Sequence, residues 1–197
     1  MKQIMFVLFV TVIGLISCKD NKKTDGKETA GVVQDTAKDS AEIRRVITSF
    51  YNWYDTNYRK LLDWPFYSET HGNSFTRTLH LDVIEKYQQY IRDSVPQLGE
   101  QFLSNQKHFF QQCDSAFKKD TEEGVPFGFD YDWYTNSQEE TKYTTDMVNA
   151  NKPWPMKIEG DHARVQIGGS VANRDDGLII YMKKENGKWT IAKIGDN

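Results

Sequence analysis

The sequence predicts an α+β fold, in which N-terminal helices pack on a curved antiparallel β-sheet formed by the C-terminal half of the chain. Two observations lead to this prediction. Before Lys119, apolar residues recur at steps of three and four, as in an amphipathic helix, and after Met156 they alternate with polar residues, as in a half-buried strand. Because the two patterns follow one another and do not intermix, they argue against a doubly wound sheet.

The first element is a short apolar run behind a positive charge. Lys2 is followed by the segment from Ile4 to Ile16, which is shorter than the about twenty apolar residues that cross a bilayer and is typical of an export signal. Its end, Leu15-Ile16-Ser17-Cys18, resembles the lipobox of bacterial lipoproteins. The resemblance implies that residues 1–17 are a signal peptide and that Cys18 carries acyl chains, which makes membrane lipid a partner of the mature protein.

The residues behind Cys18 bear on the location of the protein. Lys19 comes first and Asp20 second, unlike the inner-membrane retention signal of lipoproteins, in which aspartate directly follows the cysteine. The order partly resembles a surface-export signal of bacterial lipoproteins. We therefore expect a lipid-anchored protein of the bacterial cell envelope, in the outer membrane, on either its periplasmic or its outward face.

Residues 18–40 are rich in charges of both signs and have Val32 and Val33 as their only sizeable apolar groups. Such a segment cannot bury enough surface to fold, so a flexible charged linker is predicted here. The remaining residues, 41–197, have a usual length for one domain with its own core. The formal net charge of −3 does not suggest the basic face that a nucleic-acid partner requires.

Three helices are predicted in the first half of the domain. The first begins at a capping pair, Asp39 and Glu42. Its apolar face consists of Ile43, Val46, Ile47, Phe50, Tyr54, Tyr58 and Leu61. The second begins at a similar pair, Asp82 and Glu85, and ends near Pro96. Its apolar face consists of Ile84, Tyr87 and Ile91.

The third helix contains the second cysteine of the chain. Its apolar face consists of Leu98, Phe102, Phe109, Cys113 and Phe117. With Cys18 used for lipid, Cys113 has no partner for an intramolecular disulfide. Its spacing predicts a buried small hydrophobe rather than a nucleophile. After Lys119 the helical pattern is lost in a loop, "EEGVPFGFDYDWYTNSQEE".

The second half is predicted as an antiparallel meander. The segments "MKIEG", "HARVQIGG" and "GLIIYMKKENGKWTIAKI" alternate polar with β-branched or aromatic residues. The breaks fall at Gly160-Asp161, at 173–177 and at Asn186-Gly187. Asn-Gly between two such runs predicts a tight hairpin, because a type I′ turn needs positive φ at both central positions.

Three aromatic segments carry a resemblance to a known family. "FYNWY" (50–54), "VPFGFDYDWY" (125–134) and the closing hairpin together resemble bacterial envelope lipoproteins that carry the domain of unknown function 3828. That domain is related to the cystatin-like cone shared with nuclear transport factor two. The resemblance implies a curled sheet closed by a helix and a location in the envelope, but no reaction.

In such a cone, the space between helix and sheet is the expected ligand site, because pockets lined by aromatics with a few polar groups commonly bind small molecules. The alternative is that the same aromatic residues form the core. The candidate ligand- or partner-binding residues are Tyr51, Trp53, Tyr54, Asp130, Asp132, Trp133 and Tyr134.

The sequence predicts no metal, no cofactor and no catalytic motif. Counting from Asp130, the sixth and twelfth positions are Thr135 and Thr141 rather than the Gly and Glu of a calcium-binding EF-hand. The four histidines are scattered and lack zinc-ligand spacing. A pair of aspartates, Asp130 and Asp132, is not by itself a sign of acid–base catalysis.

Three functions of different classes follow from these observations. The favoured one is a non-catalytic, membrane-tethered module that binds a small ligand or an envelope protein, with an immunity or inhibitor role as one version. The second is a small-molecule isomerase or hydrolase that uses Asp130 or Asp132 in the cavity of the cone. The third is a structural accessory of an envelope assembly.

Overall fold

The computed structural model describes residues 27–72, 74–169 and 177–196 and confirms the α+β prediction. Helices occupy the N-terminal half of the described chain, and a four-stranded antiparallel sheet occupies the C-terminal half without closing into a barrel. The predicted signal peptide, residues 1–17, and Cys18 lie outside the described residues. Within the described ranges, no helix combines the length and the apolar character needed to span a bilayer.

Helix α1 (Lys27–Asn57) begins earlier than predicted. The predicted start at Asp39 is wrong, and the helix takes in residues 27–40, which the sequence had suggested as linker. The carboxylate of Asp39 accepts hydrogen bonds from Lys184 Nζ at 2.7 Å and from Trp189 Nε1 at 2.8 Å. Asp39 therefore does not cap α1 but ties its side to the sheet.

The apolar face of α1 lies on the sheet and on the last helix, with contacts to β3, β6 and α5. Helix α5 spans Thr141–Asn149, and strands β3 and β6 span Met156–Glu159 and Lys188–Ile194. The buried residues of α1 recur at helical spacing and, apart from Tyr51, are those predicted: Ile43, Val46, Ile47, Phe50, Tyr51 and Tyr54. The predicted extension of this helix to Leu61 is wrong, because α1 ends at Asn57 and Leu61 lies in a short separate helix, α2 (Arg59–Leu62).

Helix α3 spans Leu81–Ser94 and helix α4 spans Glu100–Phe117. The predicted capping pair of α3 is wrong, since the N-cap is His80 and Asp82 lies in the first turn, where it pairs with Lys86. A side chain of the sheet, Glu185, caps the start of α4. The first two backbone N–H groups of α4 donate to the Glu185 carboxylate at 3.0 and 3.1 Å, which satisfies two donors that have no partner inside the helix.

The sheet is a meander in the order β3-β4-β5-β6, with β4 spanning His162–Gly168 and β5 spanning Gly177–Glu185. The predicted hairpin at Asn186-Gly187 is confirmed, because φ is 50° at Asn186 and 78° at Gly187. The register shifts between Tyr181 and Met182 in β5, where β5 pairs with β6. Such irregularities bend a strand.

The sequence did not predict α5 or a second hairpin, formed by β1 (Tyr67–Thr70) and β2 (Thr76–Leu79). In β2 the inward positions are Arg77 and Leu79, so the usual apolar alternation is absent. Arg77 is only 5% exposed because the Glu69 and Asp120 carboxylates and the Gly124 carbonyl accept its hydrogen bonds. A buried arginine of this kind depends on tertiary partners that no local pattern reveals.

Cys113 lies in the aromatic core and is fully buried, which confirms its predicted place. Burial raises the pKa of its thiol to about 12. On the same helix, Phe102 and Phe117 are buried as predicted, but Phe110 is buried in place of Phe109, which stays partly exposed. The apolar face of α4 is thus turned slightly from the predicted one, and Phe109 is left at the edge of the core.

Candidate functional site

The aromatic loop, residues 125–136, lies against both α1 and α4. Asp132 fixes it at one end: its Oδ1 accepts a hydrogen bond from the Tyr134 backbone N–H, and its Oδ2 accepts one from the Tyr54 hydroxyl, both at 2.8 Å. The Asp132 backbone N–H donates to Ser137 O at 2.9 Å. One oxygen of this carboxylate therefore holds the loop on α1, and the other fixes the backbone of the loop itself.

Three tyrosines from three elements meet beneath the loop. The Tyr51 hydroxyl donates to the Tyr134 carbonyl oxygen at 2.7 Å, and the Tyr134 hydroxyl is hydrogen-bonded to the Tyr87 hydroxyl. Gln106 Nε2 donates to Tyr134 Oη at 3.2 Å. Burial raises the pKa of all three tyrosines, so the hydroxyls stay neutral and act as a structural network.

Of the two aspartates in the loop, Asp132 is the one that is partly buried. Burial raises its pKa, and the hydrogen bonds from the Tyr134 N–H and the Tyr54 hydroxyl act in the opposite direction. Asp130, two residues away, is exposed. The two aspartates of the loop thus have different surroundings, although they were grouped together on sequence grounds.

Trp133 is the central aromatic side chain of the loop. Its Nε1 donates to the Gly128 carbonyl, and its ring makes edge contacts with Phe109 at 5.4 Å and Phe129 at 5.1 Å between centroids. Gly128 has φ of 81° and passes so close to Phe109 that a Cβ there would lie 2.5 Å from Phe109 Cζ. The loop is therefore seated on α4 by close packing as well as by hydrogen bonds.

Where the loop meets α4 and the end of β6, the surface opens into a cleft, here called the α4 cleft. A small pocket of about 120 Å³, here called the inner pocket, adjoins a larger one of about 770 Å³, here called the outer pocket. The two share four lining residues: Asn105, Phe109, Tyr131 and Lys193. The inner pocket has an apolar wall consisting of Phe102, Phe109, Trp133 and Ile194.

One polar side chain of the inner pocket has an unused hydrogen-bonding atom. Gln106 lines the pocket and is 7% exposed. Its Nε2 is bound to Tyr134, but its carbonyl oxygen, Oε1, has no hydrogen-bond partner within the described chain. Buried polar atoms are nearly always paired, and leaving one unpaired costs about 1–3 kcal/mol.

The outer pocket is bordered by charges of both signs. Lys193 Nζ donates to the Asp196 backbone carbonyl at 3.2 Å and lies 5.6 Å from the Tyr181 ring centroid. Asp130 borders the same pocket from the aromatic loop. Among the residues described, neither Lys193 nor Asp130 forms an ion pair.

A further depression, here called the loop pocket, lies on another side of the aromatic loop. It has a volume of about 600 Å³, and Asp130, Asp132 and Trp133 are among its lining residues. Trp133 therefore separates the loop pocket from the inner pocket of the α4 cleft. Both spaces are formed by the aromatic loop, which makes this loop the common element of the candidate sites.

The structure brings together four of the seven binding residues predicted from sequence, Tyr51, Tyr54, Asp132 and Tyr134, at the contact between α1 and the aromatic loop. Of the other three, Trp133 packs on α4, Asp130 is exposed, and Trp53 is half-buried beside Phe50. Among the polar residues of the α4 cleft, sequence reasoning selected Asp130 but not Asn105, Gln106 or Lys193. These residues come from α4, β6 and the loop, and no local motif joins them.

The described part of the chain contains no group of three or more His, Cys, Asp or Glu side chains placed to hold a metal ion. Comparison with models of protein families, with curated proteins and with solved structures found no match for this chain. The resemblance to envelope lipoproteins and to the cystatin-like cone therefore stays a prediction.

Proposed function

We propose that this protein is a lipid-anchored, non-catalytic binding protein of the bacterial envelope, whose folded domain takes a small molecule in the α4 cleft. The anchoring part of the proposal is supported by the "LISC" segment and the apolar run before it. An outer-membrane location is supported by Lys19 and Asp20, which follow the cysteine. The binding part is supported by the geometry of the cleft.

The observation that carries the binding proposal is the combination of aromatic walls with an unpaired polar atom in the inner pocket. Ligand sites are mostly apolar, with a small number of polar groups that fix orientation. Gln106 Oε1 is such a group, since it is buried and without a partner in the described chain, on a side chain that lines the pocket. Less than 1 Å² of this oxygen is accessible, so a bound molecule with a hydrogen-bond donor would satisfy it after the amide turns toward the pocket.

The anchor is tested by metabolic labelling of the producing bacterium with an alkyne-tagged fatty acid. The wild-type protein is expected to carry the label and to sediment with membranes, and Cys18→Ala is expected to lose both properties. Cys113→Ala is the matched control and is expected to keep the label, because Cys113 is buried in the core. Label retained by Cys18→Ala would contradict the anchoring proposal.

The binding site is tested by ligand-observed NMR with a library of small aromatic and aliphatic metabolites. Asn105→Trp places a large ring at a residue that borders both pockets, whereas Ser104→Trp places the same ring on an exposed neighbour in α4. Ligands are expected to bind the wild type and Ser104→Trp, but not Asn105→Trp. Equal binding by both variants would place the site elsewhere.

A specific observation supports a second candidate, a small-molecule isomerase or hydrolase. Asp132 lies within 2.8 Å of the Tyr54 hydroxyl, its pKa is raised by burial, and it borders the loop pocket. A carboxyl with a raised pKa beside a tyrosine can transfer protons. The non-catalytic function is favoured because both Asp132 oxygens already accept structural hydrogen bonds.

The two candidates are separated by turnover assays with panels of esters and of ketones. The non-catalytic proposal expects no turnover that depends on Asp132. Activity that Asp132→Asn abolishes and Asn105→Trp leaves intact would instead establish catalysis in the loop pocket. Asp63→Asn, which changes an exposed aspartate outside the aromatic loop, is the control in the ester and the ketone assays and is expected to behave as the wild type does.

A further inference from the structure

The size of the inner pocket limits what enters it. Its volume is about 120 Å³. A cavity of about 150 Å³ lined by apolar side chains holds one benzene molecule. The inner pocket is somewhat smaller and adjoins the outer pocket, so it takes at most a single ring. Its aromatic walls, Phe102, Phe109 and Trp133, can meet that ring edge-to-face or offset-stacked.

The polar lining selects a ring with a donor at its inner end. Gln106 Oε1 accepts hydrogen bonds and has no donor available to it from the described residues. Its Nε2 is turned toward Tyr134 and Tyr87, at 3.2 and 3.5 Å from their hydroxyl oxygens, so the amide is oriented by the tyrosine network. Less than 1 Å² of Oε1 is accessible, so a ring hydroxyl or ring N–H would supply the missing hydrogen bond once the amide turns this oxygen toward the pocket.

The charges at the outer pocket select the other end of the molecule. Lys193 offers an ammonium group and Asp130 offers a carboxylate, and both border this pocket. Asp130 also has its backbone held, since its carbonyl oxygen accepts a hydrogen bond from Gln138 Nε2 at 3.0 Å. A ligand that carries one carboxylate and one ammonium group would pair with both side chains.

We propose that the α4 cleft binds a small zwitterion of the aromatic amino-acid class, with a hydroxyl or N–H on its ring. The ring occupies the inner pocket and donates to Gln106 Oε1. The carboxylate of the ligand pairs with Lys193 and its ammonium group with Asp130. This inference rests on the proposed function of the same cleft and adds the chemical class of its ligand.

The inference is tested by titration calorimetry on the full-length, detergent-solubilised protein with four probes. L-tyrosine has all three features, L-phenylalanine lacks the donor, tyramine lacks the carboxylate, and 3-(4-hydroxyphenyl)propionate lacks the ammonium group. L-tyrosine is expected to bind at least about tenfold more tightly than each of the other three, since a lost charge-assisted hydrogen bond, or a buried acceptor left unpaired in the case of L-phenylalanine, costs about that much. Equal affinities for all four probes would overturn the inference.

Single substitutions test which charged group of the ligand pairs with Lys193 and which pairs with Asp130. Lys193→Met is expected to weaken binding of L-tyrosine but not of tyramine, and Asp130→Asn is expected to weaken binding of L-tyrosine but not of 3-(4-hydroxyphenyl)propionate. The controls are Lys188→Met and Asp161→Asn, which remove exposed charges at other turns of the sheet and are expected to bind as the wild type does. Variants that weaken all probes equally would contradict the assigned pairs.

The outcomes also separate this inference from the function on which it rests. If p-cresol binds as tightly as L-tyrosine and Asn105→Trp abolishes both, the cleft is a binding site but the zwitterion class is wrong. The ligand class is again wrong if no aromatic probe binds but a molecule from the metabolite library binds the wild type and not Asn105→Trp. If nothing binds in the cleft, both proposals fail.

Discussion

Replacing Gly128 by alanine tests whether the aromatic loop is held on α4 as the structure shows. Gly128 has φ of 81°, in the region that favours glycine, and it lies directly over α4. An added Cβ would lie 2.5 Å from Phe109 Cζ and 3.1 Å from Cys113 Sγ. The first distance is too short for a Cβ contact, so the Phe109 ring or the loop must move.

Two costs add at this position. A non-glycine residue in a left-handed conformation costs about 1–2 kcal/mol. Overpacking a tightly filled site costs about 1–3 kcal/mol more. The free energy of unfolding of Gly128→Ala is therefore expected to fall by about 2–5 kcal/mol, a large part of the stability of a domain of this size.

Gly160→Ala is the matched control. Gly160 also has positive φ, 61°, but nothing lies within 4 Å of the position that a Cβ would occupy. Only the conformational cost applies there, about 1–2 kcal/mol. Urea unfolding followed by tryptophan fluorescence measures both variants. A loss at Gly128 no greater than the loss at Gly160 would refute the close contact between the loop and α4.

Three further predictions concern the helices and the hairpin. Hydrogen bonds from Lys184 and the Trp189 indole lower the pKa of Asp39 in the folded protein from 3.8. The ionised carboxylate therefore stabilises the fold fully above pH 3.8, and this stabilisation is lost as the pH falls through the lower pKa of the folded state. In urea unfolding, Asp39→Ala is expected to be about 2 kcal/mol less stable than the wild type at pH 7 and to approach the stability of the wild type in strong acid. A stability difference that stays constant with pH would contradict this. Burial raises the pKa of the Cys113 thiol to about 12. In the Cys18→Ala variant, where Cys113 is the remaining cysteine, a colorimetric thiol reagent at pH 8 is therefore expected to react only after denaturant is added. Immediate reaction would show that Cys113 is accessible in the folded protein. Arg77→Met is expected to lower the free energy of unfolding by about 3 kcal/mol, because it leaves the Glu69 and Asp120 carboxylates without their buried partner. Arg92→Met, which breaks an exposed ion pair, is expected to lower it by less than about 1 kcal/mol. Equal losses of the two variants in chemical denaturation would refute a structural role for the buried Arg77.

Much of the fold could be predicted because periodicity is a local property. Between Ile43 and Tyr54 in α1, an apolar residue recurs at each turn. This spacing by itself gives the helix one apolar face that can be buried. The hairpin at Asn186-Gly187 followed from two residues alone, since both must adopt positive φ. Such features are encoded within a few neighbouring positions.

Elements stabilised by distant partners could not be predicted in this way. Asp39 has the residue type and position of an N-cap, yet its carboxylate is bound by the β5–β6 hairpin. In β2, an arginine occupies an inward position because two carboxylates and a carbonyl from other segments surround it. A local pattern shows the side chain but not the partners that decide whether it is buried.

The same distinction applies to the candidate site. Sequence reasoning placed the tyrosines of α1 near the aromatic loop, and the structure joins Tyr54 to Asp132 and Tyr51 to Tyr134. It did not select Gln106, which looks like an ordinary polar residue of an amphipathic helix. Gln106 becomes a candidate ligand group only because Tyr134 takes its Nε2 and leaves its Oε1 unpaired in the described structure.

The sequence by itself determined three of the helices, the C-terminal meander, the turn at Asn186-Gly187, the burial of Cys113 and the expectation of an anchor at Cys18. Each depends on a few adjacent residues, whose spacing and backbone preferences act wherever the chain goes. Only the tertiary structure decided that α4, the aromatic loop and the end of β6 enclose a cleft. A cleft is the space left when elements far apart in sequence pack together, so its lining and its unpaired groups exist only in the folded chain.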